Sequence, residues 1–474
     1  MAALLVPLAA CATVQGARAP SEVDIPDRFA LVAGEVDAVI DTRSLLPFED
    51  PAYAALLARA LADAPDLQVA LARIDAARAG ARGAAAERLP NVTASGGVSR
   101  ERTSTATFGG LPQNIPFDTD RTIYSASIDA GWDADIFGRL RASERAARAR
   151  VDAARADAAA VRVALASDIA RAVIGYRAAE ARLEVIEQDL AEARDLERLT
   201  DVRSRAGISP GFDLVRAQSL RADAEARRGP VEIDRTAALA TLATLTAQSV
   251  GAIEAALAVS HETATALDVD TALPELAVPS ILLRQRPDVV AAENRLAAAD
   301  AEIASAAAAR FPSFSISGAI GLIALAFGDL FSDDAVVASL GAGIAGPLLD
   351  FGRTQARIDQ RQAEAAEAFA AYRRQVFVAL GDVERSLGAI AAADVRAAAL
   401  SEQLGYDNDN VGLAGIRYRR GLDTFLTIID AQRAANATRS AEIIARADRA
   451  LQRVALWRAI GDVDELPTTA PSAE

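Results

Sequence analysis

Ser313-Phe314-Ser315-Ile316-Ser317-Gly318-Ala319-Ile320-Gly321-Leu322 is the stretch that decides the fold. Phe314, Ile316, Gly318, Ile320 and Leu322 alternate with Ser313, Ser315, Ser317, Ala319 and Gly321, which predicts a strand with one apolar and one small or polar face. A partner follows, in which Val336, Ala338, Leu340, Ala342 and Ile344 interleave with Val337, Ser339, Gly341, Gly343 and Ala345. Upstream, Tyr124, Ala126, Ile128, Ala130 and Trp132 alternate with Ser125, Ser127, Asp129 and Gly131. Two environments produce this pattern: a half-buried sheet on a soluble core, or a β-barrel wall between lipid and a wet lumen. Each run is about 10 residues, long enough to cross a bilayer at a tilt. The second face is mostly Ser, Gly and Ala, as a wet lumen permits. Both points favour the barrel, with Trp132 and Tyr124 as its interfacial aromatics.

Around these strands the chain repeats itself. Phe137-Gly138-Arg139 recurs as Phe351-Gly352-Arg353, Gly207 as Gly421, and Ala217-Gln218 as Ala431-Gln432, each 214 residues on. ERLPNVTASGG from Glu87 matches ARFPSFSISGA from Ala309 at an offset of 222. The eight-residue difference falls between Pro90 and Phe137, so the first copy carries the longer loop. The chain is therefore a duplicated, domain-sized unit with internal pseudosymmetry.

Each copy reads as helix, strand, strand, long helix, shorter helix. Arg139 to Ala206 contains no proline and one glycine, Gly175, and Thr354 to Arg420 is also free of proline. Ile169, Val173, Tyr176, Leu183, Ile186 and Leu190 form a seam along one face of the first segment. At 1.5 Å per residue such a helix reaches roughly 100 Å, which suits a rod or a tube wall. Gly207 and Gly421 are placed as left-handed C-caps, and Ser209 and Asp423 as N-caps of the returning helices, with Pro210 in the first turn.

The expected organisation is a leader at 1–10, an N-terminal extension or collar at 11–57 and a first repeat at 58–250, with its β-hairpin at about 90–134. A linker or collar follows at 251–280, then a second repeat at 281–461, with its β-hairpin at about 312–346, and a tail at 462–474. Two hairpins supply four strands and two raw edges, which hydrocarbon does not tolerate. A barrel must be shared between copies: two would give eight strands, and three give twelve and leave a channel.

Composition narrows the chemistry. Apolar residues are 51% of the 474, aromatics only 5%, and no run approaches the ~20 apolar residues of a membrane-spanning helix. The net charge of −15 disfavours nucleic acid. There is no lysine, one histidine (His261) and one cysteine (Cys11), which removes a Walker lysine, a Schiff-base lysine, a Cys/His zinc cluster and any disulfide within the chain. No GxSxG elbow accompanies His261, so it reads as a linker residue and the chain as a non-enzyme without a cofactor.

Ala2 to Ala10 is a short apolar stretch ending in Leu8-Ala9-Ala10-Cys11. It resembles a bacterial lipobox, in which Cys11 would be acylated and each buried methylene would contribute about 0.8 kcal/mol of anchoring. No arginine precedes Cys11, as a start codon assigned too far downstream would explain.

Four segments in order, WDADIFGR (132–139), LLRQRPDVVAAENRLAAADAEIASAAAARFPSFSISGAIG (282–321), GPLLDFGR (346–353) and YRRGLDTFLTIIDAQR (418–433), resemble the TolC/OprM outer membrane factors. The likeness is closest to the NodT-like efflux lipoproteins and covers nearly the whole mature chain. It implies an α + β membrane protein: a homotrimer whose four strands per chain form a shared 12-stranded outer-membrane β-barrel on a long periplasmic α-helical barrel. It further implies a periplasmic adaptor (membrane fusion) protein and an inner-membrane RND pump as partners, and the outer membrane as location. Carried onto this sequence, the gate falls on Phe212, Asp213, Tyr418, Leu426, Asp430 and Arg433, with Leu426 and Asp430 forming rings. The docking tips fall on Gly207, Ser209, Gly421 and Asp423. Some relatives carry an acid at the position of Thr427 and a base at that of Asp423. Read from residues alone, a type I protein-secretion conduit and a lipid-anchored coiled-coil scaffold without a pore remain alternatives.

Overall fold

The computed structural model describes residues 23, 25–26, 45–47, 50–102, 104, 120–259, 267 and 284–461. Cys11 and His261 lie outside the described residues. The first copy comprises α2 (Pro65–Ala86), β1 (Asn91–Arg102), β2 (Asp120–Asp133), α3 (Arg139–Arg205) and α4 (Gly211–Thr246). The second comprises α6 (Pro287–Ala308), β3 (Ser313–Ala324), β4 (Val336–Ala345), α7 (Arg353–Arg419) and α8 (Phe425–Ile460). Two further helices, α1 (Pro51–Asp63) and α5 (Val250–Val259), flank the first copy. Corresponding helices have equal lengths: 22 residues for α2 and α6, 67 for α3 and α7, and 36 for α4 and α8. The order is the one the repeat predicts.

One compact unit holds the sheet, within Ile74–Ala154 and Ala292–Tyr372. Its strands are antiparallel in the order β1-β2-β3-β4. The register obeys the duplication. Val92 pairs with Ala130, and moving these residues by 222 and 214 lands on Phe314 and Ile344, which are paired in the second hairpin. The same register joins the alternating faces into two continuous surfaces. Val92, Ala94 and Val98, then Tyr124, Ile128 and Trp132, then Phe314, Ile316, Ile320 and Leu322, then Val336, Leu340 and Ile344 share one side. Thr93, Ser95, Ser99, Ser125, Ser127, Asp129, Ser313, Ser315, Ser317, Ser339, Gly341 and Gly343 share the other. β1 and β4 are unpaired on their outer edges, and Leu340 and Ile344 of β4 are 86% and 70% exposed in the single chain.

The Phe-Gly-Arg motif has a local cause. Gly138 (φ +76°) and Gly352 (φ +87°) take the left-handed turn that starts each long helix, where an L side chain would be strained. A carboxylate closes each start: Asp135 accepts from the amides of Leu140 and Arg141 (2.9 Å each), and Asp350 from Gly352 (3.0 Å) and Thr354 (2.9 Å). Phe137 stacks on Phe311 at 4.6 Å, and the Trp132 indole N–H donates to the carbonyl of Arg88 (2.9 Å).

The second compact unit, within Val23–Arg73, Arg155–Ala291 and Arg373–Glu474, is helical among its described residues. The predicted seam of α3 is buried at Ile169, Val173, Tyr176, Ile186 and Leu190, with Leu183 packed beside Ile186. Asp50 caps α1 through Ala52 N (2.9 Å) and receives Arg177 Nε (3.3 Å), so one buried carboxylate ties α1 to α3. Arg286 grips Asp288 with two hydrogen bonds (3.1 and 2.7 Å) and donates to the carbonyl of Ala459 (2.6 Å), closing the end of α8. Gly461 completes that end at φ +76°; a Cβ there would meet Arg286 and Pro287 at 3.2 Å. Among the described residues no single helix is long and apolar enough to cross a membrane.

Candidate gate and docking tips

Each long helix ends in the same turn. Ile208 N bonds to Arg203 O (2.9 Å) and Gly207 N to Ser204 O (3.0 Å); Leu422 N bonds to Arg417 O (2.9 Å) and Gly421 N to Tyr418 O (2.9 Å). These are paired Schellman closures, with Gly207 at φ +69° and Gly421 at φ +72°. The glycines act as the sequence predicts. Ile208 and Leu422, just beyond them, are 66% and 64% exposed.

The N-cap expectation is corrected. Pro210 is the N-cap of α4 and Thr424 that of α8, and neither makes a side-chain cap bond. Pro210, with φ −61° and extended ψ, starts the helix one residue later than expected and displaces Ser209, whose hydroxyl is buried without a partner among the described residues. Asp423 instead braces its turn, accepting from Arg417 Nε (2.9 Å), Thr427 Oγ1 (2.9 Å) and Thr424 N (3.1 Å). The Arg417 hydrogen bond, followed by that from Thr427, holds the Asp423 carboxyl below the usual carboxylate range.

Tyr418 is the centre of the tip. It is 7% exposed and packs with Ala217, Phe425 and Ile429, with Leu196 and Ile428 around them, so all four long helices meet there. The Arg203 guanidinium lies 4.9 Å from its ring centroid. Burial raises the phenol's pKa; Arg203 opposes that shift and the nearby Asp213 carboxylate adds to it. Asp213 stands half-buried in the first turn of α4, where a carboxylate complements the helix dipole.

The remaining positions lie outside this cluster. Leu426, Asp430 and Arg433 step by four and three along one exposed face of α8, and Asp430 and Arg433 make no ion pair among the described residues. Phe212 is 60% exposed, with the Arg216 guanidinium 4.0 Å from its ring centroid. The 214-residue offset relates these faces: Phe212 corresponds to Leu426, Arg216 to Asp430 and Ser219 to Arg433. Arg216 is the residue that the sequence reading passed over, although carrying Asp430 back by the offset would have found it.

Above the tip, Asp189 of α3 is fully buried and bonds both Arg227 of α4 (3.0 Å) and Arg439 of α8 (3.1 Å). Burial pushes its carboxyl up, and the two arginines oppose that shift. Its counterpart in the second copy is Gln403, so this bolt exists once per chain. No group of metal-ligating side chains occurs among the described residues.

Comparison with known proteins agrees with this geometry. The chain is 30% identical over 434 residues to the pyoverdine export outer membrane protein OpmQ of Pseudomonas aeruginosa, covering 91% of this chain and 89% of that protein. It is 28% identical to the toluene efflux pump outer membrane protein TtgI of Pseudomonas putida, over 87% of this chain and 86% of that one. The solved outer-membrane channel OprN superposes with a TM-score of 0.79 at 28% identity, covering 95% of this chain and 99% of that one. The profile of the outer membrane efflux protein family matches residues 56–248 and 278–462, a span that holds the duplicated hairpins and both tips. The chain belongs to the outer membrane efflux protein family.

Proposed function

We propose that three copies of this chain form the passive exit duct of a tripartite efflux system. β4 of each copy pairs with β1 of the next and closes a 12-stranded barrel in the outer membrane, with the apolar side toward lipid and the serine side toward water. The helical hairpins extend into the periplasm, and Cys11 adds a lipid anchor. A periplasmic adaptor docks at the two tips, through Gly207, Ser209, Gly421, Asp423 and the exposed Ile208 and Leu422. An inner-membrane pump of the RND class supplies the energy, so the duct needs no cofactor and breaks no bond. OpmQ is named for pyoverdine export and TtgI for toluene efflux, and export of small molecules by this chain fits a lumen lined by small polar residues.

The observation that carries this reading is the two-faced sheet with open edges in a chain of the efflux family. At the periplasmic end, pseudo-six-fold symmetry sets Phe212 and Leu426 in one ring. One helical turn away, Arg216 and Asp430 alternate, with Asp213, Tyr418 and Arg433 supporting the closure. Crowded carboxylates repel unless paired, and Arg216 supplies the partner. Purified protein should run as a heat-modifiable trimer and conduct ions in planar bilayers. A monomer that needs no detergent and conducts nothing would refute the duct.

A further inference from the structure

We propose that Asp129 selects charge within the membrane-embedded lumen, favouring cationic over anionic solutes at mid-barrel. The inference rests on the trimeric-duct reading. Asp129 lies on the serine face of β2, in a row with Thr93 of β1, Ala319 of β3 and Ser339 of β4. Tyr124 and Trp132 are eight residues apart on β2, which at ~3.3 Å per residue is roughly 26 Å of strand and, at a tilt of about 40°, about 20 Å of height, most of a barrel's apolar band. Between those levels Asp129 is the only charged residue of the four strands. The other strand charges stand at the ends: Arg100, Glu101, Arg102, Asp120 and Arg121 at one, and at the other Asp133, which pairs with Arg139 (3.0 Å).

The carboxylate is oriented by hydroxyl groups. Ser127 Oγ donates to Asp129 Oδ2 (2.7 Å), and Ser127 Oγ and Ser95 Oγ are 2.9 Å apart, so Ser95 can donate to Ser127 and leave its proton for Asp129. No arginine pairs with Asp129 among the described residues. The position corresponding to Asp129 in β4 is Gly343, so a trimer carries three such carboxylates in one ring. An ionisable residue at membrane depth is costly, and it is retained where it faces water and a passing charge. Rings of carboxylates in a pore with low-dielectric walls concentrate cations and repel anions. The Debye length is about 30 Å at 0.01 M salt and about 3 Å at 1 M, so the preference should be strong in dilute salt and fade in concentrated salt.

The test is the reversal potential of the full-length trimer in planar bilayers across a tenfold KCl gradient, in dilute and in concentrated salt. The wild-type channel should prefer K+ over Cl− in dilute salt. Asp129→Asn should lower the permeability ratio by about two-fold or more with the trimer intact, and Asp129→Arg should turn the preference toward Cl−. Asp430→Asn, at the tip, is the comparison. A ratio that Asp129→Asn leaves unchanged in dilute salt, or that only Asp430→Asn moves, overturns the proposal. A wild-type protein that forms no channel overturns the duct itself, which separates the two failures.

Discussion

Arg203, near the end of α3, lies over the ring of Tyr418, near the end of α7, with its guanidinium carbon 4.9 Å from the ring centroid. The contact joins the two copies at the tip, and it depends on the aromatic face rather than on the phenol oxygen, which has no hydrogen-bond partner among the described residues. Tyr418→Phe should therefore behave like the wild type, within about 0.5 kcal/mol in stability. Tyr418→Ala removes both the packing and the cation–π contact, a loss of about 3 kcal/mol, and should raise single-channel conductance. Equal conductance of the Phe and Ala variants would exclude Tyr418 from the closure.

In the proposed duct, Asp213 and Asp430 help to hold the periplasmic tip closed. Asp213→Ala with Asp430→Ala should loosen the tip and increase conductance. If Arg216 alternates with Asp430, then Arg216→Asp alone should also open the channel, by like-charge repulsion. Combining Arg216→Asp with Asp430→Arg should close it again. A combined variant as leaky as either single one would mean that the two residues do not face each other in the trimer.

Strand register between copies can be read from the duplication. Ile128 pairs with Ile320 inside one chain, and the two offsets carry this pair to Ala342 of one copy and Val98 of the next. Ala342→Cys with Val98→Cys should cross-link copies on a non-reducing gel, against a background in which the one native cysteine, Cys11, has its sulfur blocked by the proposed lipid. Gly343→Cys with Val98→Cys, shifted by one residue, places the thiols on opposite faces and should not cross-link. The reverse outcome would disprove the proposed closure.

Asp189→Asn should destabilise the helical part by about 1–2 kcal/mol, because Arg439 loses its carboxylate partner and Arg227 keeps only the more exposed Asp223. Thermal unfolding of the trimer reads this directly. Gln403→Ala, at the corresponding place in the second copy, should cost less than about 1 kcal/mol.

Acid sensitivity follows from Asp288. Burial pushes its carboxyl up, but the Arg286 hydrogen bonds and charge, with Val289 N and Gln375, outweigh this and hold it below the usual range. A depressed carboxylate contributes stability that is present above the unfolded value of about 3.9 and is lost as pH falls through the lower folded value. The contribution of Asp288 to thermal stability should therefore hold from pH 7 to about pH 5 and be lost below about pH 4. Asp288→Asn should flatten that fall, and an acid limb of unchanged steepness in this variant would count against Asp288.

Much of this was legible in the sequence, and for identifiable reasons. Alternation along Ser313–Leu322 reports a two-faced strand wherever one side meets lipid and the other water. Repeated Phe-Gly-Arg and tip glycines report backbone that needs φ > 0, which few other residues allow. The helix starts at the tips were misplaced because Pro210 shifts one of them, and because Asp423 spends its oxygens on Arg417 and Thr427. The Asp189 bolt was invisible, since its partners lie 38 and 250 residues away on different helices.

The internal duplication has one further consequence. Six identical subunits around an axis would have to set like beside like at every level of the opening. In the proposed trimer, two diverged copies per chain, matched in helix length, would let opposite side chains sit next to each other around the axis. Mutation could then tune one half of the aperture while the other half preserved its fit.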